Sequence, residues 1–131
     1  MTAVPGANLA ALAKSRPPAV IAEMLASALR AFHSVSAGDC PFEAYIPGQS
    51  LVHGDACLPN IIVGDDGLSG YIDLGDVGVG DVEVDLSAAV WSLRYNLGPG
   101  WGRAFLTAYG RPDATDQDVD RLWAMYATRV E

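Results

Sequence analysis

The 131-residue sequence has few cysteines and no long apolar run. Cys40 and Cys57 lack the spacing of a disulfide framework and have no CxxC companion, so we interpret them as reduced thiols of a cytoplasmic protein. No apolar run approaches the roughly 20 residues that a membrane-spanning helix needs. Residues 1–13 contain no basic side chain and do not resemble a signal peptide. These shortages argue against a disulfide-held secreted module and against a membrane partner.

Basic residues are also scarce. Sixteen acidic residues stand against eight basic ones, which gives a net charge of −8. From Ala31 to Leu93 there is no Lys or Arg, whereas ten acidic residues fall in that window. Nucleic acid is therefore disfavoured as a partner, because binding its phosphates needs Lys and Arg. The charge distribution favours cationic ligands instead, namely Mg²⁺ and a cationic small-molecule substrate.

The most informative stretch is residues 53–76, which read HGDACLPNIIVGDDGLSGYIDLGD. Asp55 follows His-Gly, and Asn60 lies five residues later, the offset found in the kinase catalytic loop H-R-D-x-x-x-x-N. Asp73 precedes an apolar residue and a glycine, as in D-F-G. In such sites the first Asp accepts the proton of the attacking hydroxyl, and the other two residues hold Mg²⁺ against nucleotide phosphates. The stretch therefore predicts phosphoryl transfer.

A β-hairpin is predicted between the second and third of these residues. Residues 61–63 have the composition of a strand, 64–67 that of a turn, and 68–72 that of a returning strand. Folding the hairpin back brings Asp73 near Asn60. Two oxygen ligands on adjacent strand ends suit a hard cation such as Mg²⁺.

Outside the hairpin, apolar side chains at three- to four-residue spacing predict helices. The fold class we expect is therefore α+β and mainly helical, with one domain over residues 1–131 and a loose lead-in over residues 1–17. Residues 39–49 and 77–81 are predicted loops. A weak helical turn is predicted at Leu9–Leu12, and a long helix is predicted to start at Pro18 and end at Gly38. A third helix has its predicted N-cap at Asp85 and its end at Gly98, and a fourth covers residues 101–109. Thr115 and Asp118 form a predicted capping box at the start of the last helix.

These residues resemble the aminoglycoside phosphotransferase family, and its 3′-phosphotransferase branch in particular. The stretches that carry the resemblance are HGDACLPNIIV, GYIDLGDVGVGDVEVDLSAAV and FLTAYG, and the match runs from about Pro18 to the end. The resemblance implies the carboxy-terminal lobe of the protein-kinase-like fold, with a β-hairpin carrying the active-site loop.

The resemblance also implies roles for individual residues. Asp55 is the expected catalytic base, and Asn60 and Asp73 are the expected Mg²⁺ ligands. The remaining assignments are Ile62 and Ile72, which would line the apolar bed under the base of ATP or GTP, and Glu131, which falls at or near the family's terminal substrate-binding Glu.

The sequence departs from the family in three ways. The amino-terminal nucleotide-binding lobe, with its phosphate-binding loop and Lys, has no counterpart here, so we expect little phosphotransferase activity from this chain alone. The face that this lobe covers in relatives is a candidate for self-association. Asp76 and Trp91 stand where relatives usually carry Arg. Tyr95 and Asn96 replace an acidic pair that family members use to grip substrate amines.

The function we expect is transfer of the γ-phosphoryl of a nucleoside triphosphate to a small-molecule hydroxyl, with an aminoglycoside 3′-hydroxyl as the first candidate. Two alternatives remain open. One is a kinase of another small-molecule alcohol. The other is a catalytically silent kinase-like lobe that acts as a binding or association module.

Other polar residues have simpler interpretations. His53 is expected to be a structural anchor that hydrogen-bonds neighbouring backbone, and His33 a surface or core histidine without a sequence-evident partner. Cys57 is an unfavoured nucleophile, because nothing in the sequence supplies an oxyanion site. Asp81 and Glu83 are expected to belong to a solvated loop.

Overall fold

The computed structural model describes residues 7–38, 40–64, 67–71 and 76–129. Helices build most of this part of the chain, and short antiparallel strands lie between them. In chain order the elements are β1 (Ala7–Asn8), α1 (Leu9–Leu12), α2 (Pro18–His33), β2 (Ser50–Val52), a 3-10 turn (Leu58–Asn60), β3 (Ile61–Gly64), β4 (Gly67–Tyr71), β5 (Gly78–Gly80), α3 (Glu83–Leu97), α4 (Gly102–Tyr109) and α5 (Asp116–Arg129).

Helix α3 lies at the centre of the hydrophobic core. Its side chains from Val84 to Val90 are all buried, which is typical of a helix surrounded by other elements. Helix α5 packs against α3, and α2 packs against α4. The largest fully buried side chains of this core are Phe105, Leu9, Ile21, Leu25, Leu29, Leu58, Ile61, Leu86, Leu93, Leu106 and Leu122.

Two small antiparallel sheets flank the helices in the described part of the chain. The first has the order β1-β3-β4, with Asn8 opposite Ile62 and Ile61 opposite Tyr71. The antiparallel pairing of β3 with β4 agrees with the strands of the predicted hairpin. The predicted turn residues 65 and 66 and the predicted strand end at Ile72 lie outside the described residues.

The second sheet corrects the sequence interpretation. Residues 77–81 were predicted as a glycine-rich loop, but Gly78–Gly80 forms β5, which pairs with Ser50–Val52. The glycines let β5 lie close to the segment before β2, since a β-carbon at Gly80 would collide with Ala44 and with the carbonyl of Ile46. Glycine lowers strand propensity, so its role in close approach hid this strand from the sequence pattern.

Most helix boundaries follow the sequence signals, but α2 ends at His33, five residues before the predicted end at Gly38. Helix α2 begins at Pro18, where a missing N–H costs no helical hydrogen bond. Gly98 and Gly110 follow α3 and α4 with positive φ, as predicted. The capping box is present, because the Asp118 N–H donates to Thr115 Oγ1 at 3.2 Å and the Thr115 N–H donates to Asp118 Oδ2 at 2.8 Å.

The predicted N-cap at Asp85 is wrong. Helix α3 begins at Glu83, Val82 occupies the cap position without a side-chain hydrogen bond, and Asp85 lies inside the first turn with no exposed surface. Helix α1 confirms the turn predicted at Leu9–Leu12, whereas strand β1 was not predicted in the loose lead-in. Leu9 of this segment is fully buried in the core, because β1 pairs with β3 and carries α1 onto the 3-10 turn.

Glu83 was predicted to belong to a solvated loop, but it lies in the first turn of α3. Its carboxylate accepts hydrogen bonds from Arg121 at 3.0 Å and from Arg111 at 3.3 Å. These ion pairs tie the start of α3 to α5 and to the loop after α4. None of the helices in the described part of the chain has the length and hydropathy needed to cross a membrane.

Candidate active site

The loop of residues 53–60 joins β2 to β3 and is here called the site loop. It brings Asp55 and Asn60 into direct contact, because Asn60 Nδ2 donates to the Asp55 main-chain carbonyl at 2.8 Å and lies 3.4 Å from Asp55 Oδ2. Tyr126 of α5 donates its hydroxyl proton to Asp55 Oδ1 at 2.8 Å. Asp55 as a residue is partly buried and keeps some exposed surface. Asp73, the third predicted site residue, lies outside the described residues.

Gly54 lets the site loop turn sharply next to Asp55. Its φ is +95°, a conformation that favours glycine, and a β-carbon there would collide with the backbone of Asp76. Asp76, at a position where the family resemblance led us to expect Arg, therefore lies beside the loop. Arg129 of α5 also binds this part of the loop, since its Nη1 donates to the Gly54 carbonyl at 2.9 Å. The Arg129 guanidinium also lies 4.5 Å from the centre of the Tyr45 ring.

The buried carboxylate of Asp85 binds the main chain of the site loop. Its Oδ2 accepts from the His53 N–H at 2.8 Å, and its Oδ1 accepts from the Gly54 N–H at 2.9 Å. His33 Nε2 lies 2.7 Å from Oδ2. Sequence reasoning missed this role, although one signal was available. Asp85 stands among apolar residues in a helix that is apolar on every side, where an acid needs buried partners.

His33 has partners that the sequence did not indicate. Besides Asp85, its ring contacts Tyr109 of α4, with Nδ1 and the Tyr109 hydroxyl 2.7 Å apart. Burial raises the pKa of Tyr109. Tyr109, His33 and Asp85 thus form a hydrogen-bonded chain that joins α4, α2 and α3 to the site loop.

His53 has the structural role that was predicted. It has no exposed surface, and its Nδ1 accepts from the Asp55 N–H at 3.1 Å. Its ring packs edge-on against Phe32, with centroids 5.8 Å apart, and lies 6.4 Å from the Tyr71 ring. The histidine therefore fixes the backbone that carries Asp55.

Cys57 lies next to the carboxylate but is not an activated nucleophile. Its Sγ donates toward Asp55 Oδ1 at 3.4 Å, and burial raises the pKa of the thiol to about 12. The reactive thiolate is therefore scarce near neutral pH. Burial also raises the pKa of Tyr126, so its phenol stays neutral and donates to Asp55. The sequence placed Tyr126 only on the apolar face of the last helix.

An aromatic stack lies beside Asp55. The rings of Trp91 and Tyr95 are nearly parallel, with an angle of 9° between them and centroids 5.2 Å apart. The Trp91 ring also packs against the Tyr126 ring, with centroids 5.2 Å apart. Tyr95 is 75% exposed. Both residues occupy positions where the family resemblance led us to expect charged side chains.

Asn60 fits an Mg²⁺ ligand in chemistry and orientation. Because its Nδ2 faces Asp55, Oδ1 is the carboxamide atom left for other contacts, and Mg²⁺ prefers such oxygen donors. Within the described residues no three His, Cys, Asp or Glu side chains lie close enough together to hold a metal ion. Ile62 is only 7% exposed, on β3. Ile72 and Glu131, the other predicted site residues, lie outside the described residues.

Comparison with solved structures shows the fold class of this chain. The chain is similar to aminoglycoside phosphotransferase APH(3'')-Id from Streptomyces rimosus, with 23% identity and a TM-score of 0.66 over 92% of this chain and 64% of that one. A structure of that protein with ADP and streptomycin gives a TM-score of 0.67. The aminoglycoside-3'-phosphotransferase of type VIII gives 0.69 at 22% identity. The fold is therefore kinase-like.

The chain belongs to the phosphotransferase enzyme family (APH), whose family model matches residues 44–123. It is 47% identical over 75 residues to a probable aminoglycoside 3'-phosphotransferase of Lactococcus lactis subsp. lactis, which is 56% of this chain. It is 46% identical over 74 residues to an aminoglycoside 3'-phosphotransferase of Niallia circulans. The chain spans 28% of the length of each of these curated relatives.

Proposed function

We propose that the protein transfers the γ-phosphoryl of ATP or GTP to a hydroxyl of a small cationic molecule, with an aminoglycoside 3′-hydroxyl as the first candidate. Asp55 is the catalytic base of this reaction. It accepts the proton of the acceptor hydroxyl as that oxygen attacks phosphorus, and the nucleoside diphosphate leaves. The protein is a phosphotransferase in which the 131 residues form one domain, the carboxy-terminal lobe of the kinase-like fold.

The observation that carries the proposal is the environment of Asp55. Three side chains converge on this residue, which is only partly buried: Tyr126 donates to Oδ1 at 2.8 Å, Asn60 approaches Oδ2 at 3.4 Å, and the Cys57 thiol lies 3.4 Å from Oδ1. A base for phosphoryl transfer has to be held in place yet stay accessible, because such catalysis depends largely on positioning. A turn residue needs no such support.

The metal and nucleotide assignments belong to the same proposal. Asn60 and Asp73 would hold Mg²⁺, which, when bound, neutralises charge on the nucleotide phosphates. The hairpin that begins with β3 would carry these ligands on the active-site loop. Ile62 and Ile72 would support the nucleotide base, and Glu131 would contact the acceptor. Association through the face that relatives cover with their amino-terminal lobe is a further part of the proposal.

The acceptor assignment rests on charge and relatedness. The net charge is −8, and no Lys or Arg occurs from Ala31 to Leu93, so a cationic acceptor is attracted to this face. Two related sequences are named aminoglycoside 3'-phosphotransferases, and a similar structure holds streptomycin and ADP. An aminoglycoside combines a hydroxyl with several amines, as the proposed site requires.

A matched pair of acceptors tests this proposal. The intact protein is incubated with Mg²⁺ and ATP or GTP, together with kanamycin or its 3′-deoxy analogue, and the products are analysed by mass spectrometry. We expect phosphorylated kanamycin and no phosphorylated 3′-deoxy analogue. Phosphorylation of both acceptors would contradict the 3′ assignment, and phosphorylation of neither would contradict the aminoglycoside assignment.

A kinase of another small-molecule alcohol is the second candidate. The observation that favours it is the Tyr95 ring, which stacks on Trp91 at a position where the family resemblance led us to expect an acid that grips substrate amines. Nucleotide hydrolysis or transfer to uncharged alcohols, with none to kanamycin, would support this candidate. A catalytically silent binding lobe is the remaining alternative, and it predicts ligand binding without turnover for every acceptor.

A further inference from the structure

The aromatic stack is continuous with the proposed base. Tyr126 donates to Asp55 Oδ1 at 2.8 Å, the Tyr126 ring contacts Trp91, and Trp91 stacks on Tyr95. These contacts form a single row of rings that leads from the carboxylate to the surface. The row therefore connects the surroundings of Asp55 with the exposed ring of Tyr95.

The outer end of the row presents an aromatic face and no carboxylate. Tyr95 is 75% exposed, although Trp91 covers one side of its ring. Helix α3 contains no acidic residue between Leu86 and Leu97. Arg94, the cation next to Tyr95 in sequence, stacks on Trp123 at 4.7 Å. The group that can attract a cation at this end of the row is therefore an aromatic ring and not a carboxylate.

We propose that the Tyr95 ring, backed by Trp91, binds a protonated amine of the acceptor through a cation–π contact. The face of an aromatic ring carries negative potential and attracts ammonium groups within about 6 Å of its centre. The nearly parallel Trp91 ring holds Tyr95 in place and so leaves only its outer face for the ligand. The ligand class is a ring compound that bears both a hydroxyl and an amine. This inference rests on the proposed function only in calling that ligand the acceptor.

A ring face and a carboxylate bind amines in different ways. Binding to a solvated carboxylate weakens as salt screens the charges, with a Debye length of about 8 Å at physiological ionic strength. A contact at van der Waals distance with a ring is screened less. Removing the amine charge abolishes both kinds of contact, whereas removing only the Tyr95 hydroxyl leaves the ring contact unchanged.

Calorimetry of kanamycin binding in the absence of nucleotide tests the inference. We expect Tyr95→Ala to weaken binding about two- to fivefold, the effect of an exposed cation–π contact, and Tyr95→Phe to bind as the wild type does. Fully N-acetylated kanamycin should bind weakly and with equal affinity to the wild type and to Tyr95→Ala. Phe42→Ala is the matched control, because Phe42 is also an exposed aromatic residue, at 62%, and it should bind as the wild type does.

Three results would overturn the inference: equal kanamycin affinity in Tyr95→Ala and the wild type, equal loss in Tyr95→Phe and Tyr95→Ala, or no kanamycin binding by the wild type. The proposed function fails separately, in the transfer assay. If kanamycin is phosphorylated with an unchanged KM in Tyr95→Ala, the cation–π inference is overturned while the proposed function stands.

Discussion

Asp85 is the residue whose burial matters most for the site. A carboxylate without exposed surface is costly unless it is hydrogen-bonded, and it accepts from the main chain of His53 and Gly54 and from His33. From the sequence, Asp85 was predicted to be the N-cap of a helix, where its carboxylate would not have needed buried hydrogen-bond partners. Distinguishing the two interpretations needs the packing of α2, α3 and the site loop, which no local pattern contains.

Asp85→Asn is therefore expected to destabilise the protein and to disturb the site loop. The amide keeps the volume, but its NH₂ group would face a donor N–H and leave one buried main-chain group unpaired. We expect a loss of about 1–3 kcal/mol in the free energy of unfolding, measured by urea denaturation. Asp81→Asn is the control, since the Asp81 carboxylate accepts only the Glu83 N–H among the described contacts. Equal stability of both variants would show that the Asp85 contacts contribute little.

The pKa of Cys57 yields a second prediction at this scale. Burial raises that pKa to about 12, so the fraction of thiolate at pH 8 is very small. In a Cys40→Ser variant, alkylation of the remaining Cys57 by iodoacetamide should be slow at pH 8 and should accelerate at higher pH, as followed by mass spectrometry. Denatured protein is the control and should react rapidly. Fast alkylation of the folded variant at pH 8 would mean that Cys57 is activated.

At the scale of elements, the sequence predicted helices better than strands. Helix α2 and the capping box of α5 depend on neighbours within one turn, so their signals are local. Strand β5 depends on β2, which lies 26 or more residues earlier, and on glycines that allow close approach. The start of α3 was missed by three residues, because Val82, which occupies the cap position predicted at Asp85, offers no capping side chain.

The tie between α3 and α5 predicts a dependence of stability on pH. Hydrogen bonds from Arg121, and secondarily from Arg111, lower the pKa of Glu83 from 4.5. Because the folded pKa lies below the unfolded one, the contribution of this carboxylate is complete above pH 4.5 and disappears as the pH falls through the folded pKa. Partly exposed pairs each contribute about 0.2–1 kcal/mol.

We therefore expect Glu83→Gln to lower the free energy of unfolding by about 1 kcal/mol at pH 7 and by almost nothing near pH 2, as measured by urea denaturation at both values. Glu23→Gln, which alters an exposed acid of α2, should change stability little at either pH. A loss of the same size at both pH values would mean that Glu83 acts through packing rather than charge.

At the scale of the whole molecule, the elements combine to present Asp55. Helix α5 supplies Tyr126 and Arg129 to the site loop, α3 supplies Asp85, and α2 and α4 hold Asp85 through His33 and Tyr109. The motif spacing identified the pair Asp55 and Asn60, because their contact is local. The supporting residues come from distant helices, so they could be recognised only in the folded chain.

The central claim is that Asp55 is the base of a phosphoryl transfer, and the turnover of Asp55→Asn tests it most directly. In the intact protein with Mg²⁺, nucleotide and kanamycin, we expect kcat to fall by about 10²- to 10⁴-fold, the contribution of general base catalysis. Kanamycin affinity and thermal stability should stay close to those of the wild type, because Asn still accepts from Tyr126. If Asp55→Asn keeps kcat within a few-fold of the wild type, Asp55 is not the base and the account is wrong.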